Sequence, residues 1–337
     1  MYQKMLDSWT MSYNRRAFLK NTSLALTGAA LLPRALQAAT GRTAAGAAAT
    51  GLDAARAAAG AHPAATRLAI QLYTIRDDMR ADPLGTLKQL SAMGYRHVEH
   101  ANYIDRRFYG YEAAAFRKVL DDLGLTMPSG HTELKESVHW DASRQDFTDV
   151  WKQTLEDARI AGQDYVICPW LDESLRGDYD RLRRWLDVFN KSGALCKSHG
   201  LQFGYHNHDF EFKDRLQGKT LYDIILAGTD AGLVAQQLDI GNMLGGGAKP
   251  MDVLRQYPGR FALMHVKDLI PVTGKGEMND PYESTILGQG ILDTKTVVRA
   301  AVAAGTTQLT IEQESYQGRK PIDDTRKDLE VMQHWGF

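Results

Sequence analysis

The chain has 337 residues, 44% of them hydrophobic and 24% charged, with 40 Lys and Arg against 41 Asp and Glu for a formal net charge of -1. That balance suits a globular chain of one large or two small domains with a sizeable core. It supplies no basic field of the kind that neutralises a phosphate backbone, so a nucleic-acid partner is not expected. The two cysteines, Cys168 and Cys196, are too few for a disulfide framework and read as free.

In chain order, the first feature is NRRAFLK at residues 14–20, followed by the apolar run NTSLALTGAALL, Pro33 and a zone of small residues. A paired arginine, Arg15-Arg16, ahead of a modest apolar core resembles a twin-arginine export signal over residues 1–38. The run is too short to span a bilayer, so no stable membrane anchor is expected. Residues 39–66, rich in Ala, Gly and Thr without apolar periodicity, read as a linker. A periplasmic location follows as an expectation, and with it exogenous rather than phosphorylated cytosolic substrates.

From residue 67 to the end, apolar strand-like runs alternate with helix-like segments. The runs occupy residues 67–74, 97–103, 125–132, 164–170, 201–208, 233–242, 260–268 and 308–315. Segments between them, such as 83–94 and 111–124, carry apolar residues at helical spacing and close on Gly94 and Gly124. This alternation implies right-handed βαβ crossovers and a parallel sheet. Eight units over about 270 residues predict a (β/α)8 TIM barrel. A doubly wound open sheet is the alternative, but no GxGxxG follows the first strand.

Barrel active sites lie where the strands end. With the apolar positions of each run facing the helices, period-two alternation points Ala69, Gln71 and Tyr73 inward from the first run, and His97 and Glu99 from the second. Gly204, His206 and His208 point inward from the fifth, Gln237 and Asp239 from the sixth, Leu263, His265 and Lys267 from the seventh, and Thr310 and Glu312 from the eighth. Four consecutive strands therefore deliver His206, Asp239, His265 and Glu312 to one rim. Burying two imidazoles with two carboxylates is costly unless something compensates them. One divalent cation would do so, and mixed oxygen and imidazole donors suit Mn, Zn, Co or Fe(II) and admit Mg. Glu314, two residues on and on the same face, is the alternative to Glu312.

The runs QLYTIRD, GYRHVEHANY, GYHNHDFEF, LDIGN, HVKD, GQGILD and TIEQES together resemble the sugar phosphate isomerase/epimerase family with its xylose isomerase-like TIM barrel, across residues 67–337. The resemblance implies an enzyme acting on sugars, inositols or keto-sugars through one divalent metal held by ligands from strands five to eight. Asp239, His265 and Glu312 take three of those places, and His206 stands where many members carry Glu. It further implies proton abstraction next to the carbonyl of a non-phosphorylated sugar or keto-sugar, with Glu312 as base and a sugar isomerase or epimerase as the activity. Lys267 and His208 are the candidates to stabilise the oxyanion or protonate a leaving oxygen.

Because His206 replaces a carboxylate, two-base epimerisation would need His206, His208 or Glu211 on the opposite face. Elimination, as in the similar inosose dehydratases and keto-glycoside lyases, needs one good base, a metal and an acid, and stands beside isomerisation. Gln71, Glu99, Trp170 and Asn242 are candidate substrate contacts, Glu99 by holding a hydroxyl unless it pairs with an arginine. Tyr73, Tyr103 and Trp170 offer faces for sugar stacking. Asn242 stands where the AP endonucleases of this barrel would want a further His ligand, which argues against that activity. A sugar-binding barrel without catalysis is the rival from another class. The expected partner is a small carbohydrate, and the sequence leaves the oligomeric state open. Gly288-Gln289-Gly290 is the one glycine-rich candidate for an anion cradle near the seventh strand.

Overall fold

The apolar runs fold as eight parallel strands in a computed structural model that describes residues 66–277 and 281–337. The export-signal reading, and the linker reading apart from its last residue, fall outside the described residues. The strands are β1 (Arg67–Gln71), β2 (His97–His100), β3 (Thr126–His131), β4 (Tyr165–Cys168), β5 (Gln202–His206), β6 (Val234–Asp239), β7 (Phe261–Val266) and β8 (Gln308–Ile311). They hydrogen-bond in the closed order β1-β8-β7-β6-β5-β4-β3-β2. The expected (β/α)8 barrel is therefore the fold, and the open sheet is excluded by the seam in which Arg67 to Ile70 pair with Gln308 to Ile311.

Each strand is followed by a helix: α1 (Pro83–Met93), α2 (Ala113–Asp122), α3 (Asp149–Ala161), α4 (Tyr179–Ser198), α5 (Leu221–Gly228), α6 (Pro250–Gln256), α7 (Thr294–Ala303) and α8 (Pro321–Trp335). α1 ends as its sequence predicts, on Gly94 in the left-handed region at φ 113°, where a side chain would be strained. The outer faces of the strands pack against these helices. Trp151, Leu155, Leu182, Leu186, Phe189 and Phe203 belong to one buried apolar cluster between the two layers. No helix among the described residues is long and apolar enough to cross a membrane. Cys168 and Cys196 are both free and buried.

Inside the barrel, Ile167, Ala235 and Leu263 form a small apolar plug. Gly204 shares that level, where a Cβ would overlap the Ile167 side chain. Above the plug the interior turns polar, and the site begins there.

The strands stop short of the ends of the sequence runs. Tyr73 lies in a 3-10 turn, Leu72–Ile75, and Asn242 lies in a short helix, Ile240–Gly245, whose N-cap is Asp239. His97 sits at the opening end of β2 against the Thr126 hydroxyl at 2.7 Å, away from the rim where Glu99 and the later strands converge. Tyr103 corrects the sequence reading as well. It begins a small antiparallel sheet, and its hydroxyl donates to Asp157 on α3 at 2.6 Å. Asp157 also takes a two-pronged ion pair from Arg106, so Tyr103 belongs to the helix layer rather than to a sugar platform.

Two stability tests follow. Gly193 sits within α4, where Gly to Ala ordinarily stabilises a helix by about 1 kcal/mol. Here a Cβ would overlap the backbone carbonyl of Leu233. Gly193→Ala is expected to destabilise by about 1–3 kcal/mol in denaturant unfolding, the sign reversed by overpacking.

Asp328 on α8 accepts the Leu287 amide at 2.9 Å, and burial pushes its carboxyl up to about 7. An acid raised on folding costs nothing below its unfolded value of about 4, and the cost grows as pH rises toward the folded value. Asp328→Asn keeps the acceptor, so its Tm should exceed that of the unaltered protein at pH 8 and lose the advantage by pH 4. A pH-independent difference would refute this account.

Candidate active site at the strand ends

Parallel strands in register point neighbouring residues to the same side, so the pairing decides which side chains meet. Gln71 is level with Glu99, and Glu99 with Ser129. His206 is level with Gln237, Asp239 with His265, and His265 with Thr310. The inward set therefore forms layers, with Asp239, His265 and Lys267 fully buried and His206, Glu312 and His208 nearly so.

The expected ligands come together. His265 Nδ1 lies 2.7 Å from Glu312 Oε2 and 3.7 Å from Asp239 Oδ2, and His206 Nε2 lies 3.9 Å from the same Asp239 oxygen. Ligand atoms of Asp239, His265 and Glu312 all fall within 4.8 Å of one another, and those of His131, His206 and His265 form a second such set. Asp239 Oδ1 caps the short helix by accepting the Asn242 amide at 2.7 Å. Its Oδ2 is buried and, among the described residues, takes no aligned hydrogen bond, although Lys267 Nζ stands 3.1 Å away as a charge. A buried carboxylate oxygen with no aligned hydrogen bond, faced by two imidazoles, a second carboxylate and an ammonium, suits a cation ligand. The residues fit a divalent metal with nitrogen and oxygen donors.

Electrostatics divide the roles. Burial lowers His206, His208 and His131 below the ordinary histidine range, which keeps these rings neutral. Burial also opposes charge on His265, yet Glu312 and Glu99 on its two sides raise it to about 10. Burial pushes Asp239 upward, whereas in Glu312 the neighbouring Lys267 and His265 overcome burial and hold the carboxyl well below its usual value. Lys267 is fully enclosed but stays charged, because Asp239, Glu312 and Glu314 surround it, with Glu312 Oε2 at 3.0 Å and Glu314 Oε1 at 2.6 Å. Such a lysine can stabilise developing negative charge but is a poor proton donor, and neutral His208 is a poor one too. Of the two expected tasks, oxyanion stabilisation suits Lys267 and protonation of a leaving oxygen suits neither.

Other expectations need correction. Gln71 and Glu99 are fully buried, and Gln71 Nε2 donates to Glu99 Oε1 at 2.8 Å, so neither is placed to contact substrate. Glu99 pairs with His265 at 2.6 Å and His131 at 3.3 Å rather than with an arginine. Glu211 accepts the Tyr205 hydroxyl and the His208 amide, and burial raises it to about 8, so it is not poised as a base on the opposite face. Asn242 stands beside Lys267, its Oδ1 3.4 Å from Nζ. Trp170 is half-buried and meets His208 edge to face at 5.0 Å, at the rim where an aromatic face is useful.

Glu314 pairs with Lys267 and does not displace Glu312. Sequence reasoning missed His131 and Ser129, because Pro128 and Gly130 hide the alternation of β3; carrying parity through the proline would have found both.

A family model described as a xylose isomerase-like TIM barrel matches residues 87–335. An inosose dehydratase from Clostridium botulinum is 30% identical over 82 residues, which is 24% of this chain and 26% of that protein. The chain thus matches only about a quarter of the length of that curated relative. A sugar phosphate isomerase/epimerase from Parabacteroides distasonis superposes with a TM-score of 0.67 at 22% identity, covering 80% of this chain and 94% of that one. The IOLI protein, solved with a zinc atom, superposes with a TM-score of 0.60 at 12% identity over 80% of this chain and 97% of that one. At these identities the structural likenesses show the fold.

The geometry predicts binding of one divalent ion. Protein stripped of metal and titrated with Mn(II) or Zn(II) in a calorimeter should take up one equivalent, and Asp239→Asn combined with His265→Ala should abolish it. Undiminished uptake by the double variant would remove these two residues from the ligand set.

Proposed function

Because the chain belongs to the xylose isomerase-like TIM-barrel family, we propose that it is a metal-dependent sugar isomerase that removes the proton next to a carbonyl of a non-phosphorylated sugar or keto-sugar. The observation that carries this reading is the convergence at the rim of an ionised carboxylate, Glu312, with the buried Asp239 Oδ2, which takes no aligned hydrogen bond, and the Lys267 ammonium close to both. A divalent cation held by His206, Asp239, His265 and Glu312 would supply the Lewis acidity that makes the carbon acid reactive.

Glu312 is the base. Its Oε2 faces His265 and Lys267, so the substrate proton is taken at Oε1. Lys267 is a fixed positive charge for the enolate, oriented in advance by its carboxylates. Trp170 and His208 form an edge-to-face wall suited to a sugar ring.

Return of the proton by the same Glu312 to the former carbonyl carbon, with the neighbouring hydroxyl's proton passing to the former carbonyl oxygen, gives the isomer. Two-base epimerisation is the less supported branch, since Glu211 is committed to Tyr205 and His208. A second reading, loss of a β-substituent from the same enolate in a dehydratase or keto-glycoside lyase, is supported by the local match to inosose dehydratases; the proton taken by Glu312 would then pass to the departing oxygen as its bond to carbon breaks.

The preference for a non-phosphorylated substrate is supported by Asp268. Many barrels bind phosphate on backbone N–H groups near strands seven and eight. Here Asp268 Oδ2 accepts the amides of Gly288 and Gly290, each at 2.9 Å. Its Oδ1 accepts those of Leu269 at 2.9 Å and Leu292 at 3.1 Å. The glycine-rich cradle is filled by the chain's own carboxylate.

Incubation of ketoses, inososes and 3-keto-glycosides with the Mn(II)-loaded enzyme in deuterated water tests the proposal. Deuterium should enter the carbon next to the carbonyl, Glu312→Gln should lower kcat by about 10²–10⁴-fold, and an enone chromophore would favour the elimination branch. Turnover without deuterium incorporation and unchanged in Glu312→Gln would remove Glu312 as the base.

A further inference from the structure

We infer that Glu99 and Gln237 are positioning residues which, starting from one buried carboxylate, set the ring nitrogen that His265 and His206 each present to a cation. The inference rests on the metal-site reading above and goes beyond it by assigning a hydrogen-bond relay beneath the ligands.

The relay follows from which groups can only accept. An ionised carboxylate has lone pairs and no proton, so every polar group bonded to it must donate. Glu99 has no exposed surface, and its Oε1 meets Gln71 Nε2 at 2.8 Å and His265 Nε2 at 2.6 Å. Its Oε2 meets the Ser129 hydroxyl and Gln237 Nε2, the latter at 2.7 Å. His265 must therefore carry hydrogen on Nε2, and in the metal-free protein on Nδ1 as well, where it donates to Glu312; a cation would displace only the Nδ1 proton, since Nε2 stays bound to Glu99, and would meet the ring on the side of Glu312 and Asp239. This is the carboxylate–histidine arrangement that orients metal-ligating imidazoles and raises their basicity.

The second arm runs through Gln237. With its NH₂ held by Glu99, the amide oxygen must face the other way, where it lies 2.8 Å from His131 Nε2 and 3.0 Å from His206 Nδ1. A carbonyl oxygen only accepts, so His206 carries hydrogen on Nδ1 and turns the Nε2 lone pair toward Asp239 Oδ2 at 3.9 Å. The flipped amide would set oxygen against carboxylate oxygen and is excluded on that ground. His265 and His206 thus ligate through opposite ring atoms, Nδ1 and Nε2, for one shared reason.

The test uses the full chain with ¹⁵N-labelled histidine, whose nitrogen shifts report the tautomer, first metal-free and then titrated with Zn(II). Metal-free protein should show His206 protonated at Nδ1, and zinc should attach to His265 at Nδ1 and to His206 at Nε2. Glu99→Gln should weaken Zn(II) binding about 10–100-fold and mix the His206 tautomers. Gln237→Met should alter the His206 tautomer and leave the His265 attachment unchanged, a signature that a purely structural role would not produce. His206 protonated at Nε2 in the metal-free protein, or variants that bind Zn(II) with unaltered affinity and histidine spectra, would overturn the inference. Failure of the unaltered protein to take up Zn(II) while His206 shows Nδ1–H would overturn the metal-site reading instead and leave the relay standing.

Discussion

A carboxylate with no exposed surface lies at the centre of this barrel, and the polar side chains around it are oriented by having to donate to it. Glu99 gathers Gln71 from β1, Ser129 from β3, Gln237 from β6 and His265 from β7. Ser129 in turn accepts Gln308 of β8 at 2.6 Å and Gln237 meets His206 of β5 at 3.0 Å, so seven of the eight strands meet in one network. Burial opposes the charge, but the neighbouring His265 and His131 rings, together with the hydrogen bonds from His265 and the Ser129 hydroxyl, outweigh it and hold the carboxyl at about 2. Both Glu99 oxygens are satisfied by donors from below, which leaves the ligands above oriented toward the rim.

The charges of the rim obey the same logic. Asp239, Glu312 and Glu314 crowd one ammonium, Lys267, and a carboxylate place of the resembling family holds a neutral imidazole, His206. Replacing Glu by His removes one negative charge and one base at a stroke. In the proposed reaction the site would keep a single strong base on the substrate side, which sets isomerisation and elimination side by side and ahead of two-base chemistry.

Much of this was legible in the sequence, for a reason that can be stated per strand. β5 to β8 alternate cleanly, so parity alone placed His206, Asp239, His265, Lys267 and Glu312 on one rim, and the structure brings them together. β3, reading TMPSGH, has no apolar alternation, and its inward Ser129 and His131 went unseen. Glu99 was placed correctly but given the wrong task, since parity gives direction and not depth: inward near the floor means buried and saturated, inward near the mouth means available. Tyr103 failed where the strand had already ended, and parity no longer applied. Asp268, outward by parity beside Lys267, was passed over because its partners are backbone amides twenty or more residues away, which no side-chain pattern encodes.

The seam between β1 and β8 has a consequence for how the protein comes to exist. Glu99 and His265 are separated by 166 residues, so at the ribosome's pace of 5–20 residues per second roughly 10–30 s pass between the synthesis of the carboxylate and of the histidine it orients. Until β8 emerges, β1 and β7 are raw parallel edges, and Glu312, just past the end of β8, is missing from the rim. No half-made chain carries a working ligand set. On the proposed metal-site reading, the full ligand set would exist only once the barrel closes, after the last strand has left the exit tunnel.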